Sequence, residues 1–317
     1  MLVESLLSSS IRHEICGQAV TPCIDSLLNV KGTWSNLRVK PNISAGMSSD
    51  GQYIIFTGLL PFRNTITVKQ ILNKEVIGLP RLIAETLHCK TAITIPTSPG
   101  LWHQSECSKK YGFMIENSTC TETKPQWGTD KEVFEKAITI DRQLSKNYFH
   151  CILTSSMHSS YDHLSRDVSY FNVKYPDTYS KEYRNYLSEC HYFDKHLRDY
   201  INALKRFHLW DRTILIIVAD HHAQIPFLKM NNEVVKEEET PLIIVNADID
   251  GIESVQGEVN QVDIYPSLID LFGLKSVWRG VGKSFFRTEE YNNEITDNQY
   301  IISEKIINSN YFQNFSK

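Results

Sequence analysis

The sequence predicts an α/β fold in which a mainly parallel central sheet is covered by helices on both faces. Residues 213–219 form an apolar run rich in β-branched side chains, which is typical of a strand buried on both faces. Segments with strand and helix patterns also alternate along most of the chain, and this favours parallel strands connected by helices.

The apolar run ends at Asp220, His221 and His222. Ligands bind just beyond the carboxyl ends of the strands in sheets of this kind. The pair Asp220 and His221 is therefore placed to hold a metal ion, and a polar turn at a solvated strand end is the alternative interpretation.

Further strands are predicted from short apolar runs that end at turn residues. They cover residues 1–3, 92–95, 148–154 and 241–246. The first run is followed at once by Glu4 and Ser5, as at the tail of a buried strand. We therefore expect the first strand to be truncated here and the natural chain to extend further at its N-terminus.

Helices are predicted where apolar residues recur every three or four positions or where end signals occur. A helix starting near Ser48 has Ser and Asp in its first turn and Gly58 as its stop. The other predicted helices cover residues 80–88 (Leu82, Ile83 and Leu87 inward), 130–145, 183–205 and 262–272, the last with Pro266 in its first turns and Gly273 as its cap. Residues 160–180 are interpreted as an excursion, and the last 30 or so residues carry little signal.

Composition excludes several classes of protein. The chain has 317 residues, 41% of them hydrophobic and 22% charged, with a net charge of −4. That composition is ordinary for a globular α/β domain, and without a long basic run it gives no sign of nucleic-acid binding. No apolar stretch approaches the roughly 18–20 residues needed to cross a membrane, and no secretory signal pattern occurs at the start.

None of the seven cysteines has the Cys-x-x-Cys spacing, so a zinc knuckle is not predicted. Cys107 and Cys120 are close enough in sequence to form a disulfide in an oxidising compartment. Cys151 lies within a predicted strand and is interpreted as a small core side chain. Seven histidines are interpreted as surface residues or as helix residues with satisfied hydrogen bonds: His13, His88, His150, His163, His191, His196 and His208.

An ordered series of short segments resembles the alkaline phosphatase/sulfatase superfamily. The resemblance is closest to the lipoteichoic acid synthase and phosphoglycerol transferase branch with its sulfatase-like relatives. The segments are Val3-Glu4-Ser5-Leu6, Gly46 to Gln52, Gly58 to Pro61, Leu101 to Gln104, Trp127 to Asp130, Thr154 to His158, Ala219-Asp220-His221, Gln261 to Leu268 and Trp278 to Ser284.

The resemblance implies an alkaline phosphatase-like catalytic domain over residues 1–286. It would include a small C-terminal α+β subdomain from about residue 225, and residues 287–317 would form a tail. The resemblance also implies a domain on the outer face of the cytoplasmic membrane or in the periplasm, joined to the membrane surface by a segment that this chain lacks.

The same resemblance implies one metal site formed by Glu4, Ser48, Asp220 and His221, with Ser48 as the nucleophile. It implies roles on the substrate side for Trp102, Gln104 and His158. Two carboxylates, a hydroxyl and one imidazole suit Mn²⁺ best, with Mg²⁺ and Zn²⁺ as alternatives. Ser49, one residue further on, is the alternative nucleophile.

The predicted reaction is a two-step displacement, because a cation beside a serine hydroxyl favours its attack on phosphorus. Ser48 would take a phosphoglycerol-type group from a lipid or glycan phosphodiester and pass it to an envelope acceptor, with His158 holding an oxygen or protonating the leaving alcohol. The alternative is a hydrolase of the same fold, either a phosphodiesterase or phosphatase or a sulfatase-like enzyme, that releases the group to water. A non-catalytic relative is a third hypothesis.

Three features depart from the family pattern. Gln104 stands where close relatives carry Arg, so the bidentate charged grip on phosphate is lost. His222 follows the Asp-His pair where Gly or Glu is usual, and it is either a further phosphate or metal contact or a turn residue. No Cys-x-Pro-x-Arg or Ser-x-Pro-x-Arg segment occurs, so formylglycine chemistry is not expected.

Overall fold

A computed structural model describes residues 1–121, 127–144, 147–162, 171–223, 229–230, 233–234, 238–249 and 252–315. Its strands are β1 (Leu2–Val3), β2 (Glu14–Ile15), β3 (Gln18–Ala19), β4 (Trp34–Lys40), β5 (Lys90–Ile95), β6 (Ile115–Ser118), β7 (Tyr148–Ile152), β8 (Leu215–Ala219), β9 (Lys229–Met230), β10 (Glu233–Val234), β11 (Thr240–Val245) and β12 (Val259–Asn260). Its α-helices are α1 (Pro22–Leu27), α2 (Ser48–Thr57), α3 (Thr67–Ile71), α4 (Leu79–Leu87), α5 (Gln104–Tyr111), α6 (Asp130–Gln143), α7 (Lys181–Arg206), α8 (Ile264–Leu271) and α9 (Asp297–Asn308).

The central sheet is mixed but mostly parallel. Five strands lie in the order β1-β8-β11-β4-β12, and three more in the order β6-β5-β7. A parallel bridge between Leu2 and Leu153 joins the two groups at β1 and β7. Only β11 pairs antiparallel with its neighbours β8 and β4 among these strands, while the other pairs are parallel.

Each face of the sheet carries its own hydrophobic core. Along β11, Leu242 and Ile244 enter one core while Ile243 and Val245 enter the other, as the two-residue period of a strand requires. Helices α2, α4 and α8 contribute to the first core, and α1, α6 and α7 contribute to the second. The prediction of a mainly parallel α/β sheet with helices on both faces is therefore confirmed.

Most predicted elements are found within two residues of their expected ends. The helix starting at Ser48 ends where Gly58 takes a left-handed conformation with φ +67°, which glycine adopts without steric cost. The strand expected from residue 213 begins at Leu215, because the pairing with β11 ends where Val245 meets Leu215. Leu87, expected to point inward, is 43% exposed because it is the last residue of α4.

The sequence patterns did not predict several elements, among them α1, β4, α5 and β6. Helix α9 lies in the C-terminal segment that carried little signal, and its Ile307 belongs to the first core. Ser303 of α9 also accepts a hydrogen bond from the backbone N–H of Leu60. The division into a catalytic domain of residues 1–286 and a tail of residues 287–317 stays a prediction, as does the subdomain from about residue 225. Residues 145 and 163–170, which include His163, lie outside the described residues.

Cys107 and Cys120 do not form a disulfide in the described structure. The Cys120 thiol instead lies 3.3 Å from the carbonyl oxygen of Pro96. Cys151 is buried, as predicted for a core side chain. Among the described residues, no helix combines the length and the apolar character needed to cross a membrane.

His150 is more deeply involved in the fold than the sequence suggested. Its Nδ1 lies 2.7 Å from Asp141 Oδ1, and its Nε2 lies 2.8 Å from Thr94 Oγ1. Tyr200 donates a 2.6 Å hydrogen bond to the other oxygen of Asp141. This buried network connects β7 with α6, β5 and α7, and it explains why these polar groups are tolerated beside the sheet.

Asp194 of α7 predicts a measurable pH dependence of stability. Its carboxylate accepts hydrogen bonds from the backbone N–H groups of Cys23 and Ile24, at 2.7 and 2.8 Å. Burial nevertheless raises the pKa of Asp194 to about 7 from 3.8. Between these values the folded protein keeps a proton that the unfolded chain has lost, so stability falls as the pH rises.

We therefore expect the free energy of unfolding to fall by about 2–3 kcal/mol more in the wild type than in Asp194→Asn between pH 5 and pH 8. Urea titrations at the two pH values measure this difference. Asp199→Asn, on the same helix with a 58% exposed side chain, is the control and should follow the wild type. Equal pH dependence in wild type and Asp194→Asn would contradict the prediction.

Candidate active site

Two parallel neighbouring strands bring Glu4 and Asp220 together. In the β1–β8 register, Leu2 pairs with Val218 and Val3 pairs with Ala219. The residues that follow, Glu4 and Asp220, therefore leave the sheet side by side at its carboxyl edge. The backbone N–H of Ser5 donates to Asp220 Oδ1 at 3.1 Å, and this bond holds the two chain segments in place.

Helix α2 brings Ser48 to the same edge. A Cβ added to Gly51 would lie 2.1 Å from the carbonyl oxygen of Asp220, so only glycine allows this helix to approach β8 so closely. Met47, just before the helix, has a left-handed φ of +44°. The tight approach and the strained entry together place the first residue of α2 over the strand ends.

The four predicted metal-site residues lie in one cluster. Ligand atoms of Glu4, Asp220 and His221 all lie within 4.8 Å of one another. Ser48 Oγ lies 3.1 Å from Glu4 Oε2 and 3.0 Å from His221 Nε2. His221 Nε2 is also 3.2 Å from Glu4 Oε1 and 3.8 Å from Asp220 Oδ2.

The charges of this cluster depend strongly on one another. Burial disfavours the charged form of His221, but the negative charges of Asp220 and Glu4 outweigh it and raise the pKa of His221 to about 10. Burial also opposes ionisation of Glu4, yet the charge of His221 and its hydrogen bond lower the Glu4 pKa to about 2. Burial and the nearby Glu4 charge raise the pKa of Asp220 to about 7.

The donor set fits a divalent cation. Two buried carboxylates need a positive partner, and in this structure the His221 ring supplies it. A divalent ion can take that place, because carboxylate, hydroxyl and neutral imidazole are all ligands for Mn²⁺, Mg²⁺ or Zn²⁺. The chain thus has a candidate divalent-metal site, and the choice of metal remains a prediction.

The imidazole of His221 is held in one orientation from its other side. His221 Nδ1 lies 2.6 Å from the carbonyl oxygen of His222, an atom that only accepts, so Nδ1 carries a hydrogen. In the neutral ring, Nε2 is then the atom with a free lone pair. That is the nitrogen that faces Glu4, Asp220 and Ser48, and such a backbone contact is typical of metal-binding histidines.

A cavity of about 280 Å³ opens beside Ser48. Trp102, Gln104 and His158, predicted to act on the substrate side, all line it. Trp102 is 52% exposed, whereas Gln104 is 9% exposed. The ring of His158 packs edge-on against that of Trp127, with centroids 4.5 Å apart. The structure thus brings three of the four predicted substrate-side residues to one cavity.

His222 is the exception. It is not among the described residues that line the cavity, and its Nδ1 lies 2.8 Å from the carbonyl oxygen of Ala223. No contact in the described structure supports the phosphate or metal role predicted for it. The turn interpretation agrees better with this geometry.

Two glutamines of the site were missed from the sequence. Gln52 lies one helical turn after Ser48 and lines the same cavity; its position four residues from the nucleophile was the available signal. Gln261 donates a 2.6 Å hydrogen bond to the carbonyl oxygen of Asp220. Gln261 begins one of the segments that carry the family resemblance, but its contact was not predicted. That contact depends on how the short 3₁₀ helix Gln261–Asp263 packs against the end of β8.

Gly51→Ala is expected to disturb the site through its backbone. The new methyl group must move either α2 or the end of β8, since it would meet the Asp220 carbonyl oxygen at 2.1 Å. We expect the free energy of unfolding to fall by about 1–3 kcal/mol. Thermal and urea unfolding measure the loss.

Gly100→Ala is the matched control, because nothing lies within 4 Å of an added Cβ there and its φ of −81° suits alanine. Its stability should stay within about 0.5 kcal/mol of the wild type. Equal stability of the two variants would show that α2 does not approach β8 as closely as described.

The fold and the site together define a class of protein. It is an α/β domain in which a serine hydroxyl adjoins a buried acid–histidine cluster at the carboxyl edge of the sheet. The comparison with known families is more specific. The family model described as Sulfatase matches residues 34–274, and the chain belongs to the sulfatase family. The resemblance stated from the sequence and the prediction of a sulfatase-like enzyme are both confirmed.

Individual relatives are distant. Lipoteichoic acid synthase 2 of Bacillus subtilis (strain 168) is 22% identical over 290 residues, which cover 86% of this chain and 44% of the relative. The chain therefore spans less than half the length of the curated relatives it matches.

Solved structures agree on the fold. The lipoteichoic acid synthase LtaP from Listeria monocytogenes has a TM-score of 0.73 at 20% identity, covering 90% of this chain and 74% of LtaP. Streptococcus pyogenes phosphoglycerol transferase GacH, in complex with sn-glycerol-1-phosphate, has a TM-score of 0.55 at 13% identity, covering 97% of this chain and 77% of GacH.

Proposed function

We propose that this domain is a metal-dependent phosphotransferase that moves a phosphoglycerol-type group from a lipid or glycan phosphodiester to a hydroxyl of the cell envelope. The observation that carries the proposal is the position of Ser48. Its Oγ lies within 3.1 Å of both Glu4 and His221 and lines a cavity.

Glu4, Asp220 and His221 would hold the divalent ion, with Mn²⁺ as the preferred metal, and Ser48 would be its fourth ligand. When bound, such an ion lowers the pKa of a neighbouring hydroxyl and stabilises negative charge on phosphoryl oxygens. The start of α2 adds backbone N–H groups and a dipole that favour an incoming phosphate.

In the first step, Ser48 Oγ forms a bond to phosphorus and the bond from phosphorus to the leaving alcohol breaks. Ser48 gives up to solvent the proton that its hydroxyl donates to Glu4 Oε2 in this structure. We assign to His158 the donation of a proton to the leaving oxygen. Its Nδ1 lies 2.6 Å from the carbonyl oxygen of Ser159, so Nδ1 carries a hydrogen and Nε2 is left for proton transfer.

In the second step, His158 takes the proton of an acceptor hydroxyl, the oxygen of that hydroxyl bonds to phosphorus, the bond to Ser48 Oγ breaks, and Ser48 takes a proton from solvent. The acceptor is a glycan or lipid hydroxyl. A relative named lipoteichoic acid synthase and a structural neighbour that holds sn-glycerol-1-phosphate support a glycerophosphate-type group. The family resemblance stated from the sequence is what supports a location at the outer face of the cytoplasmic membrane.

The second candidate is hydrolysis by the same residues, with water as the acceptor. The exposure of Trp102 at the cavity, 52%, favours this candidate, because the cavity is open to solvent on that side. The two reactions share the first step and differ only in the second.

Turnover of phosphatidylglycerol labelled in its head group separates the two candidates. With a glycolipid acceptor present, a transferase moves the label into the acceptor, whereas a hydrolase releases glycerol phosphate at the same rate with or without it. If diacylglycerol is released in neither case, with Mn²⁺ present, the proposed donor is wrong.

A further inference from the structure

A pair of buried amides lines the cavity one helical turn from the nucleophile. Gln52 Nε2 donates to Gln104 Oε1 at 3.1 Å, and Gln104 Nε2 donates to Gln52 Oε1 at 2.9 Å. Gln104 Nε2 also donates to Ser108 Oγ at 3.1 Å. Gln52 and Gln104 are 7% and 9% exposed, so the pair is a fixed part of the wall rather than a mobile surface.

The amides of Gln52 and Gln104 keep some unused hydrogen-bonding capacity. An amide has two N–H donors and a carbonyl oxygen with two lone pairs. In the described structure, both hydrogens of Gln104 Nε2 are used, and one hydrogen of Gln52 Nε2 is used. One N–H of Gln52 and one lone pair on each carbonyl oxygen are left, so the pair offers more acceptors than donors.

An acceptor-rich wall selects against anions. Phosphate and carboxylate oxygens only accept hydrogen bonds, whereas a hydroxyl both donates and accepts. The described residues that line the cavity include the acids Glu4 and Asp220 and the imidazoles of His158 and His221, but no Lys or Arg. Apart from the metal site, the described residues of the cavity wall therefore offer no strong cation to a second negative group.

The spacing suits a small polyol. Residues four apart on a helix have Cβ atoms about 5–6 Å apart, and Ser48 and Gln52 have this spacing in α2. A hydroxyl two carbons away from a phosphoester oxygen spans a similar distance from phosphorus. A short alcohol attached to the phosphorus under attack can therefore reach the amide pair.

We propose that the Gln52–Gln104 pair determines specificity for the alcohol that stays bonded to phosphorus when the leaving alcohol departs. It binds a hydroxyl of an uncharged polyol and rejects an alcohol that carries a further phosphate. This inference rests on the proposed function, because it concerns the group that Ser48 takes from the donor.

The test compares four diesters with the same diacylglycerol leaving group, in mixed micelles with Mn²⁺. They are phosphatidylglycerol, phosphatidylpropanol (which lacks the hydroxyls), phosphatidylglycerol phosphate and phosphatidylethanolamine. Release of diacylglycerol is measured for the wild type, for Gln52→Met, for Gln104→Met and for the double variant. The double variant leaves neither amide without its partner, so it guards against misfolding of the single variants.

We expect the wild type to prefer phosphatidylglycerol over phosphatidylpropanol by about tenfold to a hundredfold in kcat/KM, as one or two hydrogen bonds allow. Phosphatidylglycerol phosphate should be a poorer substrate than phosphatidylglycerol. In the double variant, the preference for phosphatidylglycerol should fall close to one. Gln70→Leu, at an exposed position of α3, is the control and should keep the wild-type preference.

Four results would overturn the inference while leaving the proposed function standing. The first two are a wild-type preference near one and an unchanged preference in the double variant. The third is turnover of phosphatidylglycerol phosphate as fast as that of phosphatidylglycerol. The fourth is faster turnover of phosphatidylethanolamine, which would mean that the pair recognises an ammonium group. If no phospholipid is turned over, the proposed function itself fails.

Calorimetric binding of glycerol 1-phosphate and propyl phosphate, with Mn²⁺ present, tests the pair without turnover. The wild type should bind glycerol 1-phosphate about fivefold or more tightly than propyl phosphate. The double variant should bind the two equally. Equal binding by the wild type would overturn the inference.

Discussion

Ser48→Ala is expected to reduce the release of diacylglycerol from phosphatidylglycerol by roughly 10⁴-fold or more, because a nucleophile that forms the covalent intermediate cannot be replaced by its neighbours. Metal content should change much less than activity, since Glu4, Asp220 and His221 remain. Steady-state turnover and metal analysis of the same preparation measure both quantities. A second readout is a phosphorylated peptide containing Ser48, trapped by acid quenching during turnover.

Ser49→Ala is the matched control for this prediction. Ser49 Oγ donates a 2.7 Å hydrogen bond to the carbonyl oxygen of Gly46, whereas the Ser48 hydroxyl contacts Glu4 and His221. We expect Ser49→Ala to stay within about tenfold of wild-type turnover. If Ser49→Ala is inactive and Ser48→Ala is active, the assignment of the nucleophile is wrong.

Asp220→Ala and Glu4→Ala are each expected to release the bound divalent ion. Removing a ligand should weaken metal binding by more than the roughly 10–100-fold that loss of an outer-shell partner costs. In each variant one carboxylate of the set is missing, and the remaining donors lack the charge to balance a divalent ion. Equilibrium dialysis against Mn²⁺, followed by elemental analysis, measures the loss without reference to activity.

Asp248→Ala, at an exposed position after β11, serves as the control and should bind Mn²⁺ as the wild type does. Undiminished metal in both Asp220→Ala and Glu4→Ala would rule out the proposed site. Far-ultraviolet circular dichroism of each variant checks that the loss of metal is not a loss of fold.

The sequence by itself determined the α/β class and the position of most helices and strands. Apolar runs such as residues 213–219, together with end signals such as Ser48 and Gly58, depend on neighbours within a few positions, and such local patterns can be read directly. The strand end at Asp220 and His221 could be predicted for the same reason. The local patterns failed where the environment of a residue depends on packing with distant segments. They predicted that Leu87 points inward, and they did not predict α9.

Only the tertiary structure decided how distant segments meet. The direction of β11 could not be predicted from the sequence, because an apolar strand has the same pattern whether it runs parallel or antiparallel. From the sequence, only the family resemblance put Glu4 and Asp220 in one site. In the structure, the β1–β8 register places them side by side. The reciprocal bonds of Gln52 and Gln104 and the support of Asp220 by Gln261 arise from close packing between elements far apart in the chain. Such packing depends on side-chain shape and on the absence of a Cβ at Gly51, neither of which has a periodic signature.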